Sequence, residues 1–511
     1  MSDPSVIIIG AGLAGLSAGC FAQMNGYQSH IFEHHSCPGG VAAAWRRGAY
    51  LIDGGIHFLM GHRPGTGLHD LYSQLGIVPA NRFVDMSNLG RFIHEPSGRS
   101  WDVTRDLDCF LELKSRSPQD APVIGELLSG TRAMQGLDLS EVGLGYPPEL
   151  ASSLQQLKEL WTMRRLLRYV TGKFGQPVAE YVADIHDPVL GKFLEYLFLP
   201  EAPVYFIMMI LALLADGELA YLEGGCVDFV GAIEEQYVKL GGEVTYRATV
   251  DEILVDAGRA VGVRLAPDAP PPRERHASAV ISAADGHSTI FDMLQGRYVN
   301  SRIQKRYATW PLFKPLLMIS YGVELDLSGE PPFCVLVLRE PLDVGGRDVE
   351  VIFVRILNYS SRFAPAGKTV VQVEFETEWD YWNELQKSDR KAYDAEKARL
   401  AADALQRLNA LYPGLASRVE VTDVATPYTT WRYTFNHRAS PEGWLMTPVA
   451  LRTTIERTLP GLERLYLAGQ WVMPGGGVPP VLYSGRHAVQ ILCDRDGKGF
   501  VSSPAEMSRS A

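Results

Sequence analysis

The chain has little cysteine: six residues in 511, at Cys20, Cys37, Cys109, Cys226, Cys334 and Cys493, with no C-x-x-C pair among them. That scatter excludes a disulfide framework and the usual structural zinc site, and it predicts a reducing compartment. There is no excess of basic charge. A net charge of −11 leaves no surplus to neutralise phosphates, so no nucleic-acid partner is expected, local basic patches aside. Val204 to Ala215 is an unbroken apolar run, but its twelve residues are too few to cross a bilayer; a buried helix lining a core or an apolar cavity is expected instead. No paired carboxylates or Ser-His-Asp arrangement stands out, which leaves a hydrolase without support. The first strand follows almost at once on Met1, with no room for a signal peptide, so a cytoplasmic protein is expected. The length exceeds one small core and predicts two domains or one interleaved pair.

Against these absences stands one well-formed motif. Val6 to Ile9 are consecutive β-branched residues that read as a strand buried on both faces, and Gly10, Gly12 and Gly15 follow at the spacing G-x-G-x-x-G. Leu13, Leu16, Ala18, Cys20 and Phe21 continue as a helix that Asn25-Gly26 stops, and Gln28 to Phe32 reads as a second strand ending at Glu33. Gly10 permits the tight turn, Gly12 lets backbone approach a pyrophosphate, and Gly15 allows helix and strand to pack closely. Glu33, eighteen residues after Gly15, is placed to accept hydrogen bonds from a ribose.

Pro38-Gly39-Gly40-Val41 follows, and its glycines can bring backbone to the same ligand. His34 and His35 point to opposite sides of an extended chain, so no metal site is expected beside Cys37. Ala49 to Gly61 reads as strand, glycine turn and strand, with Asp53, Gly54, Gly55 and His57 at the bend. The fingerprint, the Glu33-x-x-x-x-Pro-Gly-Gly segment and Asp53-Gly-Gly-Ile-His57 together resemble the flavin-dependent phytoene desaturase, carotene isomerase and retinol saturase group of the amine-oxidase-like flavoproteins. The resemblance implies an α/β chain, in which a Rossmann-like FAD-binding domain of the glutathione-reductase type is interleaved with a mixed α+β substrate domain. It implies one non-covalent FAD, since Cys37 and Cys493 lie outside the flavin-ring segments. It sets Gly10, Gly12, Ala14, Gly15, Glu33, Gly39, Gly40, Val41 and Gly55 at the cofactor. They are joined by Val250, whose backbone would meet the adenine, by Ala283 at the end of a strand finishing in Ser-Ala-Ala, and by Gly469, Gln470 and Val478 of the C-terminal flavin segment. Two positions depart from the family pattern: Val41 stands where many relatives carry an arginine, and Gln470 where an acid often contacts the ribityl chain.

Residues 1–69, 220–300 and 455–495 are then expected to form the FAD-binding domain, 70–219 a helical substrate and membrane-contact region, 301–454 a substrate-domain sheet plus helix, and 496–511 a flexible tail. Trp161 to Phe174 sets Met163, Leu166, Leu167, Val170 and Phe174 on one helical face and Arg164, Arg165 and Arg168 on the other. That pattern suits packing on its own domain or resting on an anionic membrane surface. Strands near 243–246, 250–254 and 260–265 suggest a β-meander. Alternating apolar residues over 316–323, 333–338, 349–357 and 369–375 predict a second sheet, and Lys391 to Leu411 a long helix.

The expected activity is desaturation, saturation or flavin-assisted isomerisation at C–C or C=C bonds of an apolar, elongated small molecule of polyene, isoprenoid or lipid-like type. An amine or amino-acid oxidase on the same scaffold is the alternative, with aromatic walls from Trp431, Tyr433, Trp471 and Tyr483. A non-catalytic lipid escort protein is a third reading, against which the intact glycines and Glu33 argue. His57 is the candidate for moving a proton at the flavin edge, and Arg432 and Tyr433 for orienting a polar end group; each also has a purely structural reading.

Overall fold

The computed structural model describes residues 4–138, 144–153, 157, 161, 163–164 and 166–503. Strand β1 (Ser5–Ile9) buries Val6 to Ile9 on both faces and lies at the centre of a five-stranded sheet. Its neighbours are β2 (Gln28–Phe32), β3 (Glu243–Thr245), β4 (Ala279–Ser282) and β5 (Leu465–Leu467), in the order β3-β2-β1-β4-β5. All four pairings are parallel. Parallel neighbours need crossovers rather than hairpins, and here the crossovers include whole excursions of the chain, so three distant stretches build one sheet. The α/β reading with a Rossmann-like unit holds. Small residues on helix Leu13–Met24 let its neighbours approach: a Cβ at Gly485 of helix Val478–Arg495 would lie 2.4 Å from the Ala14 carbonyl oxygen.

The second sheet has seven strands. In spatial order they are Val419–Ala425, Leu316–Val323, Thr369–Glu376, Asp348–Ile356, Phe333–Asp343, Asn88–His94 and Arg99–Thr104. Leu317, Ile319, Val371, Val373 and Phe375 share a core with Leu400, Ala404 and Leu408 of helix Arg390–Leu411. The two-residue period of a strand sends Ser320, Gln372 and Glu374 to the opposite face, where they are also buried. That buried polar face is turned toward Asp53, whose carbonyl oxygen accepts from Gln372 Nε2 at 3.0 Å.

Several expectations need correction. The 70–219 region is not wholly helical, because Asn88–His94 and Arg99–Thr104 form a hairpin that joins the second sheet, parallel to Phe333–Asp343. Phe92, Trp101 and Val103 point inward while Arg91 pairs with Asp102, a strand period on either side of the Ser97-Gly98 turn. The expected meander loses its first member: Glu243–Thr245 is β3, and a three-stranded antiparallel sheet forms from Val250–Asp256, Arg259–Leu265 and Glu274–His276. No continuous helix reaches Phe174, because Leu167–Val170 ends at extended Thr171 and Gly172 turns at φ +58°. Leu167 is exposed, whereas Leu166, Tyr169 and Phe174 are buried; Arg165 lies outside the described residues. The segment after Arg495 is tied down as far as Val501, whose N–H donates to Asn25 Oδ1 at 2.7 Å, and residues 504–511 lie outside the described residues. Among the described residues no helix is long and apolar enough to cross a membrane.

Candidate active site

A cavity of about 1950 Å³ is lined by residues of both sheets and of the inserted helices. At one end, β1 stops at Gly10, whose φ of +95° turns the chain into helix Leu13–Met24. A Cβ at Gly15 would sit 1.9 Å from the Gly10 carbonyl oxygen, so glycine there is what lets the helix close on the turn. A Cβ at Gly12 would meet nothing within 4 Å; its face is open to the cavity. The helix has neither a side-chain cap nor an acid in its first turn, so its N–H groups and positive dipole end face that open space unopposed. Gly39 buttresses the turn, its N–H donating to the Ala11 carbonyl at 2.9 Å. Glu33 is buried, and its carboxylate accepts from the Ala11 N–H at 2.6 Å and the His35 N–H at 2.7 Å. These donors and this acceptor fit the pyrophosphate and ribose of a dinucleotide.

A second helix end closes the same part of the cavity. Gly475, Gly476 and Gly477 all have positive φ and lead into helix Val478–Arg495, again without a side-chain cap. Pro479 and Pro480 carry no N–H, and the Val481 N–H returns to the Gly477 carbonyl at 3.3 Å. The Val478 N–H is thereby the single early donor of this helix without an intrahelical acceptor, and Val478 lines the cavity.

Toward the second sheet the polar groups are side chains. His57, 40% exposed, has its Nε2 3.2 Å from Glu374 Oε2, and the other Glu374 oxygen lies 3.1 Å from Arg355 Nη1. Arg355 also donates to the Asp53 carbonyl at 3.2 Å. Asp53 is held in turn by the Cys226 N–H at 2.7 Å and the Gly55 N–H at 3.2 Å. Burial alone would raise the Glu374 carboxyl, but His57 and Arg355 pull it down to about 2. Asp285 is in the opposite state: burial pushes its carboxyl up to about 6, although it accepts N–H bonds from Ser288 and His437. Carboxyls around the same cavity are thus held in opposite states, Glu374 firmly ionised and Asp285 more readily protonated.

The remaining walls are apolar. Met134, Leu137, Leu166, Val170, Phe206 and Met209 line the cavity, as do the stacked pairs Tyr221–Tyr359 and Phe333–Phe353, with ring centroids 4.4 and 6.1 Å apart. Helix Tyr205–Asp216 serves both readings of its apolar run: Met208 and Leu214 are fully buried in the core, while Phe206, Met209 and Ile210 reach the cavity. Exposed lining residues Lys314, Glu376, Arg347 and Glu378 mark where the cavity meets solvent.

Of the residues singled out in the sequence, Gly10, Gly12, Ala14, Glu33, Gly39, Gly40, Val41, Gly55, His57, Val250, Ala283, Tyr433, Gly469, Gln470 and Val478 all line this cavity. Gly15 lies behind the turn. Arg432 does not line the cavity; its guanidinium folds over the Tyr433 ring at 4.7 Å, and its carbonyl oxygen is 3.3 Å from His34 Nε2. Tyr433 packs edge-on against His35. Both therefore sit beside Glu33 at the dinucleotide end, away from the apolar walls, because helix Pro427–Thr434 docks on the 34–35 turn. His34 and His35 are engaged by Thr249 Oγ1 and Cys37 Sγ at 2.9 and 3.0 Å. Of the four aromatics named for an oxidase, Trp431, Tyr433 and Trp471 line the cavity, Trp471 also packing against Trp444, whereas Tyr483 is buried outside it. Glu374 and Arg355 were not foreseen. The alternation Val371-Gln-Val-Glu-Phe-Glu marks a polar face, but only the fold shows that this face is buried.

Comparison with known proteins agrees with this geometry. Residues 8–75 match the family described as NAD(P)-binding Rossmann-like domain. The chain is 28% identical over 505 residues to a chloroplastic prolycopene isomerase of Arabidopsis thaliana, covering 94% of this chain and 81% of that protein. It is 25% identical over 538 residues to the neurosporene-forming phytoene desaturase of Rhodobacter capsulatus, covering 96% and 94%. Among solved structures, an oxidoreductase from Methanosarcina mazei superposes with a TM-score of 0.61 at 16% identity over 95% of this chain and 100% of that one. Cyclohexylamine oxidase from Brevibacterium oxydans does so with 0.57 at 16% identity, over 97% and 100%. The chain is therefore an enzyme related to the prolycopene isomerases and phytoene desaturases, and it has the fold of the amine-oxidase-like flavoproteins.

Proposed function

We propose that the protein binds FAD without a covalent bond and uses it on a C–C or C=C bond of an elongated, apolar polyene. The observation that carries this reading is the single cavity joining the glycine turns to the methionine- and aromatic-lined walls. At about 1950 Å³ it exceeds the roughly 300–1,000 Å³ usual for one small ligand, as a dinucleotide and a long hydrocarbon together require. The Gly12 turn would take the pyrophosphate, Glu33 the ribose, the backbone at Val250 the adenine, Gln470 the ribityl chain and the Val478 N–H the pyrimidine edge of the ring. Bound flavin supplies the hydride chemistry that no side chain offers. The protein's part is to hold an unactivated hydrocarbon in register and to keep water away, which Phe333, Phe353, Tyr221 and Met209 can do. His57, steadied by ionised Glu374, is the group that can hold a proton where the apolar walls begin. The relatives' names support a polyene as substrate; an amine oxidase is the second reading, which the cavity-lining Trp431, Tyr433 and Trp471 and the likeness to cyclohexylamine oxidase fit. Anaerobic mixing of the yellow, purified protein with candidate polyenes, followed by mass analysis, tests the reading. A changed mass or isomer composition is expected, and turnover of small hydrophilic amines with no binding of any polyene would overturn it.

A further inference from the structure

Among the carboxyls of the cavity to which the mechanism above gives no role, Glu442 stands apart. Glu442 lines the cavity, and among the described residues no hydrogen bond or ion pair reaches its side chain. Its backbone is held firmly. Ser440 Oγ donates to the Gly443 carbonyl at 3.0 Å, Phe313 N–H donates to the same oxygen at 2.9 Å, and Leu445 N–H donates to the Pro311 carbonyl at 3.0 Å. The segment lies directly on the turn that opens the last helix: a Cβ at Gly476 would come within 2.6 Å of Glu442 Cβ, and one at Gly443 within 3.2 Å of Gln470 Cγ. Glu442 thus lies against the turn that precedes Val478, and its neighbour Gly443 lies against the side chain of Gln470, the two groups read above as meeting the flavin.

We propose that the Glu442 carboxyl takes up and releases a proton as a flavin bound at this end of the cavity changes redox state. The inference rests on the flavin reading. Electrons added to the ring bring negative charge beside the carboxyl and disfavour its ionised form. Ionised Glu442 then takes a proton from solvent, forming its O–H bond, and gives it back when the electrons leave; the electrons come from an external reductant, dithionite in the test below. Glu442 is half-buried, and withdrawal of its carboxyl from water pushes it up to about 7, toward the range in which such an exchange operates. The charged groups on the surrounding segments are committed elsewhere. Arg438 pairs with Asp380 at 2.5 Å, Lys314 with Glu376 at 2.9 Å and Arg457 with Glu149 at 3.0 Å. Asp285 accepts the Ser288 and His437 N–H groups, Arg452 is exposed, and Gly475 to Val481 carries no charge.

The test is a spectroelectrochemical titration of the FAD-loaded protein from about pH 5.5 to 8.5, native against Glu442→Gln. The native potential should fall more steeply with pH above about 7, where each reduction draws an extra proton, and the variant should show no such break. At the alkaline end the reduced-to-oxidised ratio at a fixed poise should differ between them on the order of tenfold, the scale of one nearby charge in a partly shielded site. The same break in both proteins would overturn the proposal. Infrared spectra of the flavin-free protein at about pH 6 give an independent reading: the neutral carboxylic-acid band should be lost in Glu442→Gln, and no difference would sink the proposal. A chain that binds no flavin defeats the functional reading, yet the infrared band still judges Glu442. Glu442→Asp, which keeps the acid and withdraws it by one methylene, must shift the break and serves if the glutamine variant does not fold.

Discussion

The two ends of the cavity are built by different means. Where the two glycine turns meet the cavity the chain presents backbone: Gly12 and Gly477 precede two helix ends without side-chain caps, and buried Glu33 is itself fixed by backbone donors. Toward the second sheet it presents side chains: an apolar wall from helix Tyr205–Asp216 and a buried Arg355–Glu374 pair borrowed from that sheet. The backbone end tolerates no added atom at its tightest points, whereas the side-chain end tolerates changes of size but not the loss of one member of a charged pair. Mutations can press on that difference from each side.

The largest effect is expected at Gly15. Any Cβ there meets a backbone oxygen at 1.9 Å that cannot yield, so Gly15→Val should cost about 3 kcal/mol or more and leave little folded, yellow protein. Soluble yield and thermal unfolding measure this; a variant that melts like the native protein would show that the turn is more plastic than its packing implies. At the other end, Glu374→Gln leaves the buried Arg355 charge without its partner, a change that costs about 3 to 5 kcal/mol. The same pair gives a pH signature. The Glu374 carboxyl, held down to about 2 from its usual 4.5, contributes stability that is complete above about pH 4.5 and is lost as pH falls toward 2. Acid melting curves should therefore be flatter over that window for the glutamine variant, and equal slopes would mean the pair is not formed.

Glu33→Ala should act more mildly on the fold but clearly on the cofactor. Removing a charged acceptor from the ribose costs about 1.5 to 3 kcal/mol, a ten- to hundredfold loss of FAD affinity, read by equilibrium dialysis. Undiminished binding would assign the ribose to another group. The smallest change in stability belongs to Met209→Asp, whose carboxylate would face the cavity. It should melt within about 1 kcal/mol of the native protein while losing polyene binding. Met208→Asp, one residue earlier and fully buried, is the control that should unfold the protein by several kcal/mol. If the neighbouring variants behave alike, the helix does not divide core from channel.

Legibility followed the same divide. The turn carrying Gly10 and Gly12, and the strand ending at Glu33, could be read from spacing because they form a local object: strand, turn, helix and strand, all within about thirty residues. Four of the second sheet's seven strands were readable for the same reason, their two-residue period being local, and Lys391 to Leu411 was readable as a helix. The hairpin Asn88–His94 and Arg99–Thr104 was missed because its stabilising partner, Phe333–Asp343, lies more than two hundred residues away. That Arg432 turns away from the cavity was not legible, because proximity to Trp431 and Tyr433 in sequence says nothing about which side of helix Pro427–Thr434 meets it.

What the sequence alone determined is the dinucleotide fold and its glycine cradle, since backbone geometry at φ values such as +95° in Gly10 depends on which residues permit it. The tertiary structure alone decided which polar face of the second sheet is buried, that His57, Glu374, Arg355 and Asp53 form one network, and that Glu442 faces the cofactor end unpaired. Those residues come from segments far apart in the chain. Their charges acquire meaning only when packing removes water from around them, because desolvation and pairing are properties of the folded neighbourhood and not of any residue's place in the sequence.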